Sequence, residues 1–310
     1  METAVLLIVF NRLDAVKQVF EAVRNARPKR LYVSADGPRS NREGENEKCA
    51  EVRNWIVSHV DWDCTLKTRF LEQNIGCGLG PSTAISWLFE YEDQGIIIED
   101  DCVPNADFFE YATIMLEKYK ENRDIMAVNS SNFQPSPVGN GSYYFSMQNG
   151  PFCAWATWKR AWQMFDYSMQ KYSRKTIANA LDRHYKVTKR EKFWWLDIYD
   201  NLTKDYYNGS SWDFQFIFAI WANKGKSIVP NVNLSTNIGF GPGATHTTNP
   251  NAVTANRPTA PILPLTFVDN EEISRKADLF YHDFYYDRFV DHTPTWKKIK
   301  RWLKQVIKKR

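Results

Sequence analysis

The sequence predicts an α/β fold with a mainly parallel central sheet and helices on both of its faces. From residue 4 to residue 101, short runs of aliphatic and β-branched residues alternate with segments in which apolar residues recur at helical spacing. This alternation is typical of parallel sheets, because each helix returns the chain to the starting edge of the sheet. The length of 310 residues allows one large α/β domain or two smaller ones.

The predicted elements follow one another along the whole chain. We predict strands over residues 4–10, 30–34, 65–70, 95–98, 125–128 and 227–229. Helical patterns lie between the first four strands and continue over residues 104–120, 170–208 and 210–222. Residues 129–150, rich in Ser, Asn, Gly and Pro, are predicted to form a long loop. Residues 152–165 are predicted to be helical, because Trp155, Trp158 and Trp162 share one helical stripe.

Three consecutive acids close the buried strand at residues 95–98. Glu99, Asp100 and Asp101 repel one another, so they need solvent, a paired cation or a bound metal ion. Their oxygens suit hard cations such as Mg²⁺ or Mn²⁺, and ligands of open α/β sheets bind outside the carboxyl ends of the strands. On this motif alone, a metal site and a solvated acidic loop are both open.

Two glycine-rich loops and one further acid are candidates for a ligand site. Residues 72–82 lead into a helix and offer backbone N–H groups to an anion, but they form neither a Walker A motif nor a dinucleotide fingerprint. Residues 237–247 carry His246, which is either a ligand-binding residue or a plain surface residue. Asp213 opens an apolar helix, where the helix dipole stabilises its charge with or without a catalytic role.

The composition indicates a globular protein of a reducing compartment. The five cysteines are odd in number and include no CxxC pair, so neither a disulfide framework nor a zinc site is expected. The first residues lack the basic region and the cleavage site of a signal peptide, and no apolar run reaches the ~18 residues of a spanning helix. We therefore expect a cytoplasmic protein.

The C-terminal stretch is basic and amphipathic. Residues 297–310 contain eight Lys and Arg and no acid, whereas the whole chain has a net charge of +4. Apolar residues, two of them Trp, recur between these cations at helical spacing, which is typical of a helix lying in a membrane surface. We predict such a helix over residues 295–310, at the inner face of the cell membrane. A nucleic-acid-binding tail, which the interleaved Trp disfavour, and a helix packed on its own domain are the alternatives.

Five short segments, in this order along the chain, carry a resemblance to a known family. They are residues 9–12 (VFNR), 33–37 (VSADG), 99–109 (EDD followed by PNADFF), 211–213 (SWD) and 240–246 (FGPGATH). On these segments, residues 4–250 resemble nucleotide-sugar-dependent glycosyltransferases of the GT-A fold, which is Rossmann-like. The chain is most similar to the N-acetylglucosaminyltransferase I type and to its bacterial branch often labelled hemolytic-protein-like.

The resemblance implies a set of donor-binding residues. Those expected near the nucleotide and the donor sugar are Phe10, Asn11, Arg12, Asp36, Asn74, Glu99 and Asp100. Among them Asp36 resembles the acid that holds the uracil, Asp100 would lie near the ribose, and Glu99 near the donor sugar. Residues 76–83 hold no counterpart of the family's uracil-side histidine, so Asn74 and Gly76 are the candidates for that contact.

The resemblance also implies the metal ligands and the catalytic base. Glu99-Asp100-Asp101 resembles a variant of the DXD motif, in which Asp101 binds Mn²⁺ or Mg²⁺. His246, on the loop expected to close over the donor diphosphate, would complete that metal site. Asp213 resembles the catalytic base of inverting members, and Trp212 would lie on the acceptor side. A metal ion at the leaving diphosphate and one base at the acceptor hydroxyl favour displacement with inversion.

The expected function is a metal-dependent inverting glycosyltransferase of bacterial surface polysaccharide synthesis. Its donor would be a UDP-sugar and its acceptor a glycan or a lipid-linked glycan, with no nucleic acid as partner. We expect a GT-A domain over residues 1–265, with a donor half (1–128) and an acceptor half (129–265), and a C-terminal extension over residues 266–310. A sugar-1-phosphate nucleotidyltransferase and a non-catalytic membrane-surface binding protein are the alternatives.

Overall fold

The computed structural model describes residues 1–147, 153–204, 211–241, 249 and 251–286, except for the side chains of residues 285 and 286. Ten strands occur in these residues. They are β1 (Ala4–Val9), β2 (Arg30–Ala35), β3 (Thr65–Phe70), β4 (Gln94–Glu99), β5 (Cys102–Pro104), β6 (Ile125–Asn129), β7 (Tyr143–Ser146), β8 (Ala154–Trp158), β9 (Lys226–Pro230) and β10 (Ser235–Asn237).

Nine α-helices accompany these strands in the described part of the chain. They are α1 (Leu13–Ala26), α2 (Glu45–His59), α3 (Gly76–Tyr91), α4 (Ala106–Lys118), α5 (Lys159–Trp162), α6 (Arg174–Asn179), α7 (Lys189–Thr203), α8 (Asp213–Ala222) and α9 (Arg275–Tyr281). π-Helical turns extend α6 over Ala180–His184 and α9 over His282–Tyr286. None of the described helices is long and apolar enough to cross a membrane.

Eight of the strands form one sheet in the order β3-β2-β1-β4-β8-β6-β9-β7. Six of them run in the same direction, while β8 and β7 run antiparallel to their neighbours. The prediction of a mainly parallel sheet in an α/β fold is therefore confirmed. The remaining strands, β5 and β10, form a separate antiparallel ribbon directly after the acids of residues 99–101.

Helices cover both faces of the sheet, and the alternation of side chains along the strands divides the core in two. On β4, Ile97 faces the cluster that includes α3, α7 and α8, whereas Ile96 and Ile98 face the cluster that includes α1, α2 and α4. Because β4 is buried on both faces, its sequence is a continuous apolar run without alternation.

The predicted helix over residues 152–165 is wrong for its first part, because residues 154–158 form strand β8. This strand lies between β4 and β6 and is buried on both faces, so it shows no alternating pattern of apolar and polar residues. Trp155 packs in one half of the core and Trp158 in the other. Their spacing of three residues resembles a helical stripe, yet on a strand it places them on opposite faces.

One other prediction needs adjustment. Residues 129–150 were expected to form one long loop, but they contain strand β7, which pairs with β9 at the edge of the sheet. Two residues after position 265 contact this edge: Ile273 bridges to Phe145, and Asp278 binds Ser146. The predicted membrane helix over residues 295–310 lies outside the described residues.

Candidate active site

The carboxyl ends of β1, β2 and β4 bring together most of the residues singled out in the sequence. β1 lies between β2 and β4, and Ile8 is in register with Glu99. The residues that follow these strands, 10–12, 36 and 99–101, therefore meet at one edge of the sheet. Ligands of α/β proteins bind at such an edge.

Arg12 is paired with two of the three acids. Its Nη2 donates to Asp100 Oδ1 at 2.5 Å and to Asp101 Oδ2 at 2.9 Å. The second oxygen of Asp100 accepts the Phe10 N–H at 3.2 Å, so both oxygens of this nearly inaccessible carboxylate are bound within the protein. Asp101 keeps the more exposed side chain of the two acids. Among the described residues, its Oδ1 accepts a hydrogen bond only from the thiol of Cys102, a weak donor, at 3.2 Å. Asp101 is thus the acid of this pair better placed to offer an oxygen to a ligand.

Two acids of this cluster, Glu99 and Asp100, have raised pKa values. Burial raises the pKa of Asp100 to about 6, although the charge of Arg12 opposes the shift. Burial also raises the pKa of Glu99 well above its usual value, and the charges of Asp101, Asp100 and Asp213 raise it further. Burial and the neighbouring acids therefore both make the charged form of Glu99 costly.

Asp213 lies close enough to Glu99 to influence its pKa, although it comes from the opposite half of the chain. It is the first residue of α8, and Ser211 Oγ donates to its Oδ1 at 2.7 Å. Its Oδ2 accepts no hydrogen bond within the described part of the chain. Asp213 therefore lies at the N-terminus of α8 with one oxygen fixed by Ser211.

Trp212 is buried beneath Asp213 and does not line the surface of the cleft. Its side chain is 5% exposed, stacks on Trp155 with a centroid separation of 5.7 Å, and packs edge-on against Trp162. It therefore supports the start of α8 from within the core. The expected place of Trp212 on the acceptor side stays a prediction, and its ring is buried.

The loop that follows β10 lies directly on Asp101. The Ile238 N–H donates to the carbonyl oxygen of Asp101 at 2.8 Å. Gly239 is so close that a Cβ at this position would lie 1.9 Å from Asp101 Oδ2. Pairing of β10 with β5 produces this contact, because β5 starts at the residue after Asp101. His246, further along the same loop, lies outside the described residues.

Asp36 has a different environment from the one expected of a base-binding acid. Its Oδ1 accepts the N–H groups of Gly37 and Ile75, and its Oδ2 accepts the N–H of Gly76 and Nδ2 of Asn74. Four donors, at 2.8 to 3.1 Å, thus occupy its two oxygens. The structure gives Asp36 the role of holding the glycine-rich loop at the start of α3.

Three residues near this edge were not identified from the sequence. Cys77 lies among the acids: burial raises the pKa of its thiol, and the charges of Glu99, Asp36 and Asp213 add to the shift. Glu45 accepts a hydrogen bond from Asn11 Nδ2 at 3.0 Å and forms an ion pair with Arg39. Residues 40–48 are polar and carry no motif, so their sequence gives no signal for this pair.

The acids fit a hard divalent cation that is held by a single carboxylate. Among the described residues, no three side chains of His, Cys, Asp or Glu are arranged as a metal site. Mg²⁺, however, is usually bound by one or two carboxylates together with substrate phosphates and water. Asp101, partly exposed at the edge of the sheet, has the oxygen chemistry for this role.

Comparisons with known proteins give partial matches to solved structures only. No protein-family model matches the chain, and no curated protein matches it in sequence. The chain is similar to S. aureus TarS 1–349 in complex with UDP, at 13% identity and a TM-score of 0.36, over 53% of this chain and 48% of that one. It therefore spans about half the length of that protein.

Two further solved structures have a similar degree of likeness. The mannosyltransferase PcManGT from Pyrobaculum calidifontis, in complex with GDP-Man and Mn²⁺, matches at 14% identity and a TM-score of 0.37, over 72% of this chain and 70% of that one. UDP-glucose pyrophosphorylase complexed with UDP-glucose matches at 10% identity and a TM-score of 0.33, over 53% and 79%. Likeness at this level covers only part of the architecture, and the function rests on this chain's own site.

Proposed function

We propose that the protein is a metal-dependent inverting glycosyltransferase that uses a nucleotide diphosphate sugar, with a UDP-sugar as the expected donor. The main observation behind this proposal is that two distant parts of the chain lie close together at one edge of the sheet. One part consists of the acids after β4 together with Arg12. The other is Asp213, at the start of α8, which lies close to Glu99.

The protein groups of these two parts suit the two partners of a transfer reaction, the attacking hydroxyl and the leaving diphosphate. Ser211 fixes one oxygen of Asp213, and the other accepts no hydrogen bond from the described residues. Asp213 can therefore accept the proton of an acceptor hydroxyl as the hydroxyl oxygen attacks the donor sugar. Arg12 carries a permanent positive charge at the acids after β4, where a leaving diphosphate gains negative charge.

A divalent cation at Asp101, when bound, would neutralise charge on the leaving diphosphate. The preferred ions are Mn²⁺ and Mg²⁺, because the candidate ligand is a carboxylate oxygen. Gly239 and Ile238 hold the loop after β10 against Asp101, so this loop is positioned to cover the same end of the donor.

Inversion is the outcome that the acids favour. A retaining enzyme with a covalent intermediate needs a charged carboxylate as nucleophile. Burial keeps the pKa of Glu99 high, and both oxygens of Asp100 are bound by Arg12 and Phe10. Neither acid is suited to that task, which leaves direct displacement assisted by Asp213.

The acceptor and the cellular setting are part of the proposal. We infer a glycan or lipid-linked acceptor in bacterial surface polysaccharide synthesis, and attachment to the inner face of the membrane through residues 295–310. The support for the membrane is the basic, Trp-containing sequence of that stretch. The donor half (residues 1–128) and the acceptor half (residues 129–265) both contribute strands to the central sheet.

A donor panel tests the proposal against its two alternatives. The protein is incubated with UDP-, GDP-, CDP- and dTDP-sugars, with Mn²⁺ or EDTA, and release of nucleoside diphosphate is measured. Parallel reactions contain a sugar 1-phosphate and a nucleoside triphosphate, and release of pyrophosphate is measured. We expect Mn²⁺-dependent release of one nucleoside diphosphate. Pyrophosphate release would instead identify a nucleotidyltransferase, and neither product together with no nucleotide binding would identify a non-catalytic protein.

A further inference from the structure

Arg39 and Glu45 form a fixed ion pair at the carboxyl end of β2. Arg39 Nε donates to the two oxygens of Glu45 at 3.1 and 2.9 Å, and its Nη2 donates to Oε1. The backbone N–H of Arg39 and Nδ2 of Asn11 donate to the same carboxylate at 2.7 and 3.0 Å. Glu45 is only 4% exposed, so these contacts hold the plane of the guanidinium in one orientation.

This pair is connected to the acids of the candidate active site. The guanidinium carbon of Arg39 lies 5.4 Å from the centre of the Phe10 ring. The backbone N–H of Phe10 in turn donates to Asp100. Arg39, Phe10 and Asp100 therefore belong to one rigid array along the edge of the sheet.

One side of Arg39 remains open. Its side chain is 43% exposed, and its Nη1 group makes no hydrogen bond or ion pair with the part of the chain that the structure describes. A guanidinium fixed on one side and exposed on the other keeps two N–H donors available to a ligand. The carbonyl oxygens of nucleobases accept such hydrogen bonds from Arg.

Arg39 lies beyond the carboxyl end of β2, at the same edge of the sheet as the acids after β4. Strand β1 lies between β2 and β4, so the ends of these two strands are about 10 Å apart. A nucleotide held through its diphosphate at Asp101 can therefore extend along this edge toward the loop that carries Arg39.

We propose that Arg39 is the residue that selects the nucleobase of the donor, by donating from Nη1 to a carbonyl oxygen of the base. Glu45 and Asn11 are positioning residues, because they hold the guanidinium. The inference rests on the proposed use of a nucleotide donor and adds the class of base: one with a carbonyl oxygen, such as uracil or guanine, in preference to adenine, which has none.

The test compares the full-length wild-type protein with Arg39→Lys, Arg39→Ala and Arg42→Ala by calorimetric titration with UDP, GDP, ADP and inorganic pyrophosphate in the presence of Mn²⁺. Arg39→Lys keeps a positive charge beside Glu45 but lacks the second donor nitrogen. Arg42 lies in the same segment with an exposed side chain, so its replacement is the matched control.

We expect Arg39→Lys and Arg39→Ala to weaken binding of the preferred nucleotide by about tenfold to a hundredfold. Their affinity for pyrophosphate and for ADP should stay at the wild-type level, and Arg42→Ala should bind every probe as the wild type does. Melting temperatures of the variants show whether each is folded. If Arg39→Ala does not fold, Arg39→Lys is the decisive variant.

Two results would overturn the inference while leaving the proposed function intact. One is wild-type affinity of a folded Arg39→Lys for UDP and GDP. The other is an equal loss of affinity for the nucleotide and for pyrophosphate, which would make Arg39 a phosphate contact. Failure of the wild-type protein to bind any nucleoside diphosphate would instead contradict the proposed function.

Discussion

Gly239 packs so tightly on Asp101 that any side chain at this position must displace one of the two. Gly239→Ala would place a methyl group 1.9 Å from Asp101 Oδ2. We expect the substitution to move the loop or the carboxylate and to lower donor turnover by about tenfold or more, since overpacking of this kind amounts to about 1–3 kcal/mol. Steady-state measurement of nucleoside diphosphate release checks this expectation.

Gly80→Ala is the matched control for Gly239→Ala. A Cβ at Gly80 would lie 3.4 Å from Asp36 Oδ2, an ordinary contact, so an alanine fits at this position without displacing the carboxylate. We expect the Gly80 variant to retain turnover. Equal turnover of the Gly239 variant and the wild type would show that the loop does not constrain Asp101.

At the scale of single residues, positions at strand ends could be predicted, but their contacts could not. Glu99 and Asp101 follow a buried apolar run, so their place at the edge of the sheet follows from the local sequence. The four donors on Asp36 come largely from residues 74–76, on a separate loop. The rings against Trp212 come from Trp155 and Trp162, more than 40 residues earlier in the chain.

At the scale of elements, α9 fixes the edge of the sheet through a buried acid. Asp278 accepts hydrogen bonds from Ser146 Oγ at 2.5 Å and from the Met147 N–H at 3.3 Å, and it is paired with Arg275. Burial raises the pKa of Asp278 to about 6, although these partners oppose the shift. The folded protein therefore binds this proton more tightly than the unfolded chain does.

This pKa shift predicts how stability depends on pH. Because the folded pKa of Asp278 exceeds the unfolded value, its contribution to stability is fully present below about pH 4 and is lost as the pH rises to about 6. Asp278→Asn removes this proton equilibrium. The free energy of unfolding of the variant, relative to wild type, should therefore increase by up to about 3 kcal/mol between pH 4 and pH 7.

Urea unfolding of both proteins at several pH values measures this difference. Asp283→Asn removes an acid with a half-exposed side chain from the same segment and controls for the loss of one negative charge. A constant difference in unfolding free energy between Asp278→Asn and wild type, from pH 4 to pH 7, would contradict the assigned environment of Asp278.

Strand β8 shows why some elements cannot be predicted from the local sequence pattern. Its neighbours β4 and β6 are supplied by other parts of the chain, and burial on both faces removes the period of two that identifies a strand. Strands β1 to β4, in contrast, alternate along the chain with the helices α1, α2 and α3. The alternation of elements, more than any single pattern, therefore predicted these four strands.

At the scale of the whole molecule, the proposed attachment to a membrane depends on the C-terminal stretch. Residues 297–310 carry eight cations, each of which contributes about 1 kcal/mol near an anionic surface. If half of them act, deletion of residues 295–310 should weaken binding to anionic liposomes by about a thousandfold. Co-sedimentation with liposomes measures the binding, and neutral liposomes are the control.

The same deletion should leave donor turnover in solution unchanged, because the candidate active site lies at the carboxyl ends of β1, β2 and β4. Liposome binding that survives the deletion would remove the proposed role of this stretch. Loss of turnover in solution would show that the stretch contributes to the catalytic domain instead.

The central claim is that the fold brings a general base, Asp213 at the start of α8, close to a donor held at Asp101 after β4. Asp213→Asn tests it most directly, with Asp197→Asn, an exposed acid on α7, as the control. We predict that Asp213→Asn lowers turnover of the preferred nucleotide sugar by about a hundredfold to ten-thousandfold and leaves the donor dissociation constant unchanged. Wild-type turnover in this variant, or a loss confined to donor binding, would contradict the account.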